Sequence, residues 1–274
     1  MTATSHIARL TAVPAPAVPV ARLLIGRPVE EAAETLPRLF NLCRAAQSAA
    51  IRLALDLPAL PADPAEDIAR DHLLRLAVIL PRHLGMAPLP LDRAVLVDCP
   101  AGPDGLEAWL ASGRGAAPLI ARLAALFAPG AACADLPPVS DATAMTPAAV
   151  DNSVAIRNAA HPLMRAAEAR WGRGPVWRVL ARVIDLSAPL PAPRRLADGT
   201  ALVPAARGQY AIRAGAENGR VTGFARTTPT DHLLAPGGVM DRALATLPDP
   251  ALAPLVLDIL DPCAPVTLEE SEDA

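Results

Sequence analysis

Hydrophobic positions recur at three- and four-residue steps through most of the first 187 residues, and only afterwards does an alternating pattern appear. Between Arg27 and Leu57, the positions Leu36, Leu39, Phe40, Cys43, Gln47, Ala50, Ala54 and Leu57 fall on one face of a helix. That spacing puts Cys43 and Gln47 on the same inward side. Pro58, Pro61 and Pro64 break the run. A second helix starts at Asp63-Pro64-Ala65-Glu66, where Asp63 is a good N-cap, proline suits the first helical position, and Glu66 completes a capping box. Its apolar stripe runs through Ile68, His72, Leu76, Ile79 and Leu80 to Pro81.

Residues 88–104 are rich in proline, with a short strand expected at Ala94–Val97. Helices are expected over 105–112 and 116–128, then a loop from Pro129 to Met145. Thr146-Pro147 opens the next helix, running toward Arg170 with a break at His161-Pro162, and Gly174-Pro175 opens one more through Ser187. After a proline-rich stretch at 188–200, strands at Gln209–Arg213 and Arg220–Arg226 flank Asn218-Gly219. That dipeptide tolerates the positive φ angles of a type I′ hairpin turn. Short helices over 239–246 and 250–260 follow, and an acidic tail covers 269–274.

These elements give a mostly helical α+β fold with a small antiparallel β-hairpin. Residues 1–20 are expected to be a flexible segment and 21–270 a single domain. Within it, 21–187 is helical and 200–270 holds the hairpin and a C-terminal motif. A chain of 274 residues with 52% hydrophobic content can bury a sizeable core, and with 3% aromatics that core must be aliphatic. All 25 basic residues are arginine, scattered rather than clustered, and the net charge is −3, so nucleic acid is not expected as a partner. Arg9 and the prolines at 14, 16 and 19 interrupt the N-terminal apolar stretch, and no run approaches the roughly 20 residues of a membrane span. Neither a signal peptide nor membrane insertion is expected, and the reading is a cytoplasmic one.

Cysteines stand at 43, 99, 133 and 263 without a C-x-x-C pair, which fits reduced thiols better than a disulfide framework. Taken alone, a cysteine on an alanine-rich helix face is an ordinary small core residue. Cys99, Cys133 and the histidines, including His72, are given structural roles. Two segments stand apart. Arg38-Leu39-Phe40-Asn41-Leu42-Cys43-Arg44-Ala45-Ala46-Gln47 lies near the start, and Asp261-Pro262-Cys263-Ala264-Pro265-Val266-Thr267-Leu268-Glu269 lies near the end.

Together these segments resemble the R-x-C-G-x-C-P-x-x-H and D-P-C-x-x-C-x-x-H motifs of nickel–iron hydrogenase large subunits. Cys43 and Cys263 match one cysteine of each motif, while Phe40, Gln47, Val266 and Glu269 replace the other cysteines and the histidines. Between them, Ala205-Ala206-Arg207-Gly208 is similar to the family's A-P-R-G, and Thr228-Pro229-Thr230 to a segment that bonds a cyanide ligand. Arg70-Asp71-His72-Leu73-Leu74 and Trp177-Arg178-Val179-Leu180-Ala181-Arg182 resemble further helices of the same subunits. The shared order covers most of the chain. More closely still, the chain resembles the HupK-type hydrogenase expression/formation proteins, which look like truncated large subunits.

That resemblance implies a trimmed large-subunit-like fold and a non-catalytic part in hydrogenase maturation. Two thiolates are too few for nickel held by four, so no stable nickel is expected. An iron-dicyanide-carbonyl fragment needs less from the protein. The resemblance implies Cys43 and Cys263 as its tethers and Arg207, Pro229, Thr230 and Gln47 as groups around its ligands. It implies a HypC-type maturation chaperone and the hydrogenase large-subunit precursor as partners. Two other readings stand beside it: a metal-free adaptor binding the precursor or its small chaperone, and a cysteine hydrolase. The hydrolase needs an exposed, activated Cys43 thiolate, which an apolar helix face with Gln47 one turn away does not suggest.

Overall fold

A computed structural model of the chain describes residues 9–40, 42–60 and 63–271. Residues 1–8 of the expected flexible segment, Pro61, and residues 272–274 of the expected acidic tail lie outside the described residues. The rest of that N-terminal segment is structured. Strand β1 (Arg9–Pro14) pairs antiparallel with the last strand of the chain, Val266–Ser271, from Arg9 opposite Ser271 to Pro14 opposite Val266. Ala15 extends the pairing by donating its backbone N–H to the Pro265 carbonyl at 2.9 Å.

The long helix expected over 27–57 is divided. After α1 (Val20–Leu24) come α2 (Val29–Thr35), one 3₁₀ turn (Leu36–Arg38), and then α3 (Arg44–Ala54). Cys43 is therefore not on a helix face. It is the N-cap of α3, in the left-handed region at φ 53° and ψ 38°, where a non-glycine residue is uncommon. Helix α4 (Pro64–Leu74) begins as expected, with Asp63 accepting from the Ala65 N–H at 2.8 Å. The cap acts on the second helical residue, and Glu66 does not complete a capping box. A wider π-type turn (Arg75–Ile79) carries the chain into α5 (Leu80–His83).

At 94–97 the expected strand is instead the helix α6 (Arg93–Leu96), because Asp92 caps the Ala94 N–H at 2.8 Å. Helices α7 (Leu106–Ala111) and α8 (Ala117–Leu126) lie where the pattern put them. Residues 146–153 are not helical. The helix expected from Thr146 is reduced to α9 (Val154–Arg157), capped by Ser153, and α10 (Pro162–Trp171), which starts at the expected His161-Pro162 break.

Helix α11 (Pro175–Asp185) is buried along its whole length. Trp177, Leu180 and Val183 pack it into the largest apolar cluster, with Leu119, Leu123, Leu163 and Val256 around them. The expected hairpin is present but belongs to a four-stranded antiparallel sheet, in the order β2 (Arg194–Arg195), β3 (Ala201–Ala205), β4 (Gly208–Glu217), β5 (Arg220–Thr227). Its Asn218-Gly219 turn has φ angles of 50° and 73°. Ala46, Ala50 and Ile51 of α3 cover the sheet's Val203 and Ile212, forming a second cluster. The chain closes with α12 (Pro229–Leu233), α13 (Val239–Ala245), α14 (Ala253–Leu260) and β6 (Val266–Ser271). Among the described residues no helix is long and apolar enough to cross a membrane.

Candidate functional site

Four pieces of backbone bring the site together. Cys43 comes from the left-handed cap of α3, and Arg207 from the two-residue turn Ala206-Arg207 joining β3 to β4. Pro229 and Thr230 open α12, whose cap is a full capping box between Thr228 and Asp231. Cys263 follows Asp261, the left-handed C-cap of α14 at φ 56°. A cavity of about 720 Å³ is lined by Cys43, Gln47, Arg207, Pro229, Thr230 and Cys263. All six residues singled out in the sequence thus face one space. The prolines and alanines at 14–17, with Val18, form one wall, and Phe40, Tyr210 and Arg226 form another. Leu42, Cys43 and Ala205 also line a second cavity of about 200 Å³, so Cys43 stands in the partition between two spaces.

Arg207 is the fixed point. It is 6% exposed. Its Nε donates to the Asp261 carbonyl and its Nη2 to Asp261 Oδ1, both at 3.0 Å, and Nη2 also lies 3.4 Å from Asp71 Oδ1. The remaining nitrogen, Nη1, is turned toward Cys43 Sγ at 3.7 Å. Burial alone would lower the guanidinium pKa, but Asp261 and Asp71, with both cysteines, carry it above its ordinary value. The Cys43 thiol is pushed up by burial. Arg207 and the Ala206 N–H oppose that rise, while Asp71 and Cys263 add to it. At neutral pH Cys43 is a thiol beside a fixed cation, not a free nucleophile.

A closed ring of ion pairs and hydrogen bonds holds this arrangement from behind. Arg182 Nη2 donates to Asp261 Oδ2 at 3.0 Å, and Arg75 pairs with Oδ1 of the same carboxylate. Arg182 Nη1 meets His72 Nδ1 at 3.2 Å, and His72 Nε2 meets Asp185 Oδ2 at 3.0 Å. His72 is fully buried and its pKa is lowered, chiefly by that burial. The neutral ring therefore accepts at Nδ1 and donates from Nε2. Asp185 in turn binds Arg157 at Nε (3.0 Å) and Nη2 (2.5 Å). Arg157 Nη1 closes the ring by donating to the Ala205 and Gly208 carbonyls, each at 3.1 Å, on either side of the turn that carries Arg207.

The two polar groups nearest the thiols are partly committed. Thr230 Oγ1 accepts the Cys263 backbone N–H at 2.8 Å, so its own hydrogen remains available for donation. Gln47 Nε2 donates to the Leu42 carbonyl at 2.8 Å, while its buried Oε1 has no partner. What Gln47 has left is that acceptor and the second hydrogen of Nε2. Among the described residues, no cluster of three or more His, Cys, Asp or Glu side chains is arranged to hold a metal ion. Cys99 packs against the main core, and Cys133 Sγ lies 3.4 Å from the Trp171 carbonyl.

Sequence reasoning missed Asp71, Arg182, Tyr210 and Arg226. Arg178 and Arg182 carried a signal, because two arginines one turn apart on an otherwise apolar helix must each find a buried anion. They do so at Asp151 and Asp261. Tyr210 and Arg226 come from the neighbouring strands β4 and β5, and only the register, with Arg226 opposite Ile212, brings the guanidinium within 3.2 Å of the Tyr210 hydroxyl.

No protein-family model matches the chain. It is 53% identical over 267 aligned residues to the hydrogenase expression/formation protein HupK of Rhodobacter capsulatus, an alignment covering 92% of this chain and 90% of that protein. A shorter alignment of 94 residues, 36% identical, relates 29% of the chain to 24% of the hydrogenase expression/formation protein HoxV of Cupriavidus necator.

Proposed function

The chain belongs to the HupK family of hydrogenase expression/formation proteins, a maturation rather than a catalytic family, and from that premise we propose that it is a scaffold or transient carrier for an iron-dicyanide-carbonyl fragment during large-subunit assembly. The observation that carries the reading is the convergence of Cys43, Cys263, Arg207, Pro229 and Thr230 on one cavity.

In this reading the fragment is cargo. Its iron already has three strong-field ligands and needs only one or two thiolates from the protein. Cys43 and Cys263 supply them, releasing thiol protons as they bind. The Arg207 nitrogen that faces Cys43 is placed to donate to a cyanide nitrogen held beside that sulfur, and the Thr230 hydroxyl can donate to another. Pro229 stands at the first position of α12 on the cavity wall, where its missing N–H costs the helix no hydrogen bond. Gln47 spends one Nε2 hydrogen on the Leu42 carbonyl and keeps a second, with which it can donate to a ligand nitrogen of the fragment. Two thiols alone make a poor nickel site, since nickel in the related large subunits is held by four.

The partners in this proposal are a HypC-type chaperone that brings the fragment and the large-subunit precursor that receives it, in the cytoplasm, where thiols stay reduced. Infrared spectra of the protein purified with the maturation machinery should show cyanide and carbonyl stretches that vanish in Cys43→Ser. Bands unchanged in that variant would sink the Cys43 assignment.

The absence of a three-ligand cluster among the described residues favours a second reading, a metal-free adaptor that contacts the same partners through large-subunit-like surfaces. It predicts that a Cys43→Ser/Cys263→Ser variant captures the precursor and chaperone as efficiently as the parent does.

A further inference from the structure

Arg226 stands out among the arginines that face the cavity. Arg207 has Asp261 and Asp71 as counter-ions. Arg226, among the described residues, has no carboxylate within ion-pairing distance; its contacts are the Tyr210 hydroxyl, to which Nη1 donates at 3.2 Å, and the Phe40 ring, 4.3 Å below its guanidinium carbon. Both partners are uncharged. The aromatic face orients the guanidinium by cation–π attraction without neutralising it. Tyr210 is buried and its hydroxyl is pushed up to about 12, mainly by that burial, so it too stays neutral. Among the described residues, the one carboxylate on the cavity wall is Asp231, which is held in the α12 cap by the Thr228 N–H (2.7 Å) and hydroxyl (2.9 Å) and is not ion-paired with Arg226.

The two thiols thus share their space with two oriented guanidinium groups, one of them uncompensated. A bare divalent cation meets positive charge there, while a complex carrying net negative charge on its outer atoms meets the Arg207 Nη1 that faces Cys43 and the Arg226 nitrogens not spent on Tyr210. We propose that Arg226 is the anion-receiving arm of this cavity, making it with Arg207 a site for a small anionic metal complex rather than for a free metal cation. The inference deepens the carrier reading and rests on it for the identity of the natural ligand, but the charge preference stands on the cavity's own residues.

Hexacyanoferrate(II) is a suitable probe, because its iron is saturated and cannot take a thiol, so it reports the anion arm alone. Calorimetric titration of the full chain should show binding that weakens several-fold in Arg226→Gln and recovers in part in Arg226→Lys. Arg213→Gln, which removes an arginine paired with Asp198 outside the cavity, should leave it unchanged. Ni²⁺, the cation probe, should bind Arg226→Gln more tightly than the parent. Equal hexacyanoferrate affinity in parent and Arg226→Gln, an equal loss in Arg213→Gln, or no binding by the parent would each overturn the proposal. Failure to find iron on the purified protein would instead remove the carrier reading and leave this charge preference standing.

Discussion

Arg207 grips Asp261 twice, donating from Nε to its backbone carbonyl and from Nη2 to its carboxylate, both at 3.0 Å. One residue therefore sets both the end of α14 and the direction in which the guanidinium faces Cys43. The same carboxylate also serves Arg182 and Arg75. Asp261→Asn keeps the shape and tolerates the left-handed backbone, but leaves three arginines short of an anion. Removing one partner of a buried pair costs about 3–5 kcal/mol. A drop of that size in urea-unfolding free energy is expected, and a change under about 1 kcal/mol would mean that the cluster behaves like a surface pair.

Acid should weaken the fold in two stages. His72 has a folded-state pKa below its unfolded value of about 6.5, owing first to burial. Between those two values the unfolded chain binds the extra proton, so stability is present above about pH 6.5 and falls as the pH drops below it. Burial alone would raise the pKa of Asp185, yet hydrogen bonds from His72 and Arg157 hold it far below the usual range. Its contribution is present above about pH 3.9 and is lost as the pH falls further. Urea midpoints across this range should decline in the parent, and His72→Gln should abolish the first stage. A midpoint flat between about pH 7.5 and 5 in the parent would contradict the neutral assignment of His72.

Cys43 should alkylate slowly. Burial raises its pKa and Arg207 partly opposes the rise, so the thiolate fraction at neutral pH is small. Mass-spectrometric tracking of iodoacetamide labelling should find the rate climbing through the alkaline range and slower still at each pH in Arg207→Gln. Rapid labelling near pH 7 would revive the hydrolase reading.

Gly208 admits no side chain. Its φ is 149°, and a Cβ there would lie 2.2 Å from the Asn152 carbonyl oxygen, which is backbone and cannot swing aside. Gly208→Ala should destabilise by about 3 kcal/mol, the upper part of the range for a strained backbone position. It should also shift the adjacent turn, so Cys43 labelling changes together with the melting temperature. A neutral substitution would show that the Asn152 contact is dispensable.

Several of the helices that the sequence placed well are started by an Asp-Pro, His-Pro or Gly-Pro step, since proline at the first turn fixes both position and φ. Pro64, Pro162 and Pro175 each open a helix where expected. The errors lie where periodicity was trusted without such a marker. The three- and four-residue rhythm runs unbroken from Leu36 to Leu57, yet the chain leaves the helix before Cys43, whose positive φ has no signature in a cysteine. Residues 146–153 failed for the opposite reason: Thr146-Pro147 offers a cap and a start, but Asn152 is drawn off to bind the Gln209 backbone through both its amide atoms. Strand β3 was unreadable because all its residues are buried, so no alternation appears. The six cavity residues could be named from ordered motifs. Arg182 signalled only that a buried anion must exist, and the pairing of Asp71 with Arg207 and of Arg157 with Asp185 could not be read, because the partners lie far apart along the chain.

The pairing of β1 with β6 has a consequence in time. One side of the cavity is made by residues 14–18 and another by residues 263–265, joined through the Ala15–Pro265 hydrogen bond. A ribosome delivers the second of these more than two hundred residues after the first. Until then Cys43 has its own helix beneath it but neither its partner thiol nor Asp261 to aim Arg207. The enclosure therefore cannot form before the second segment has been made, and a shorter nascent chain cannot trap anything in it prematurely.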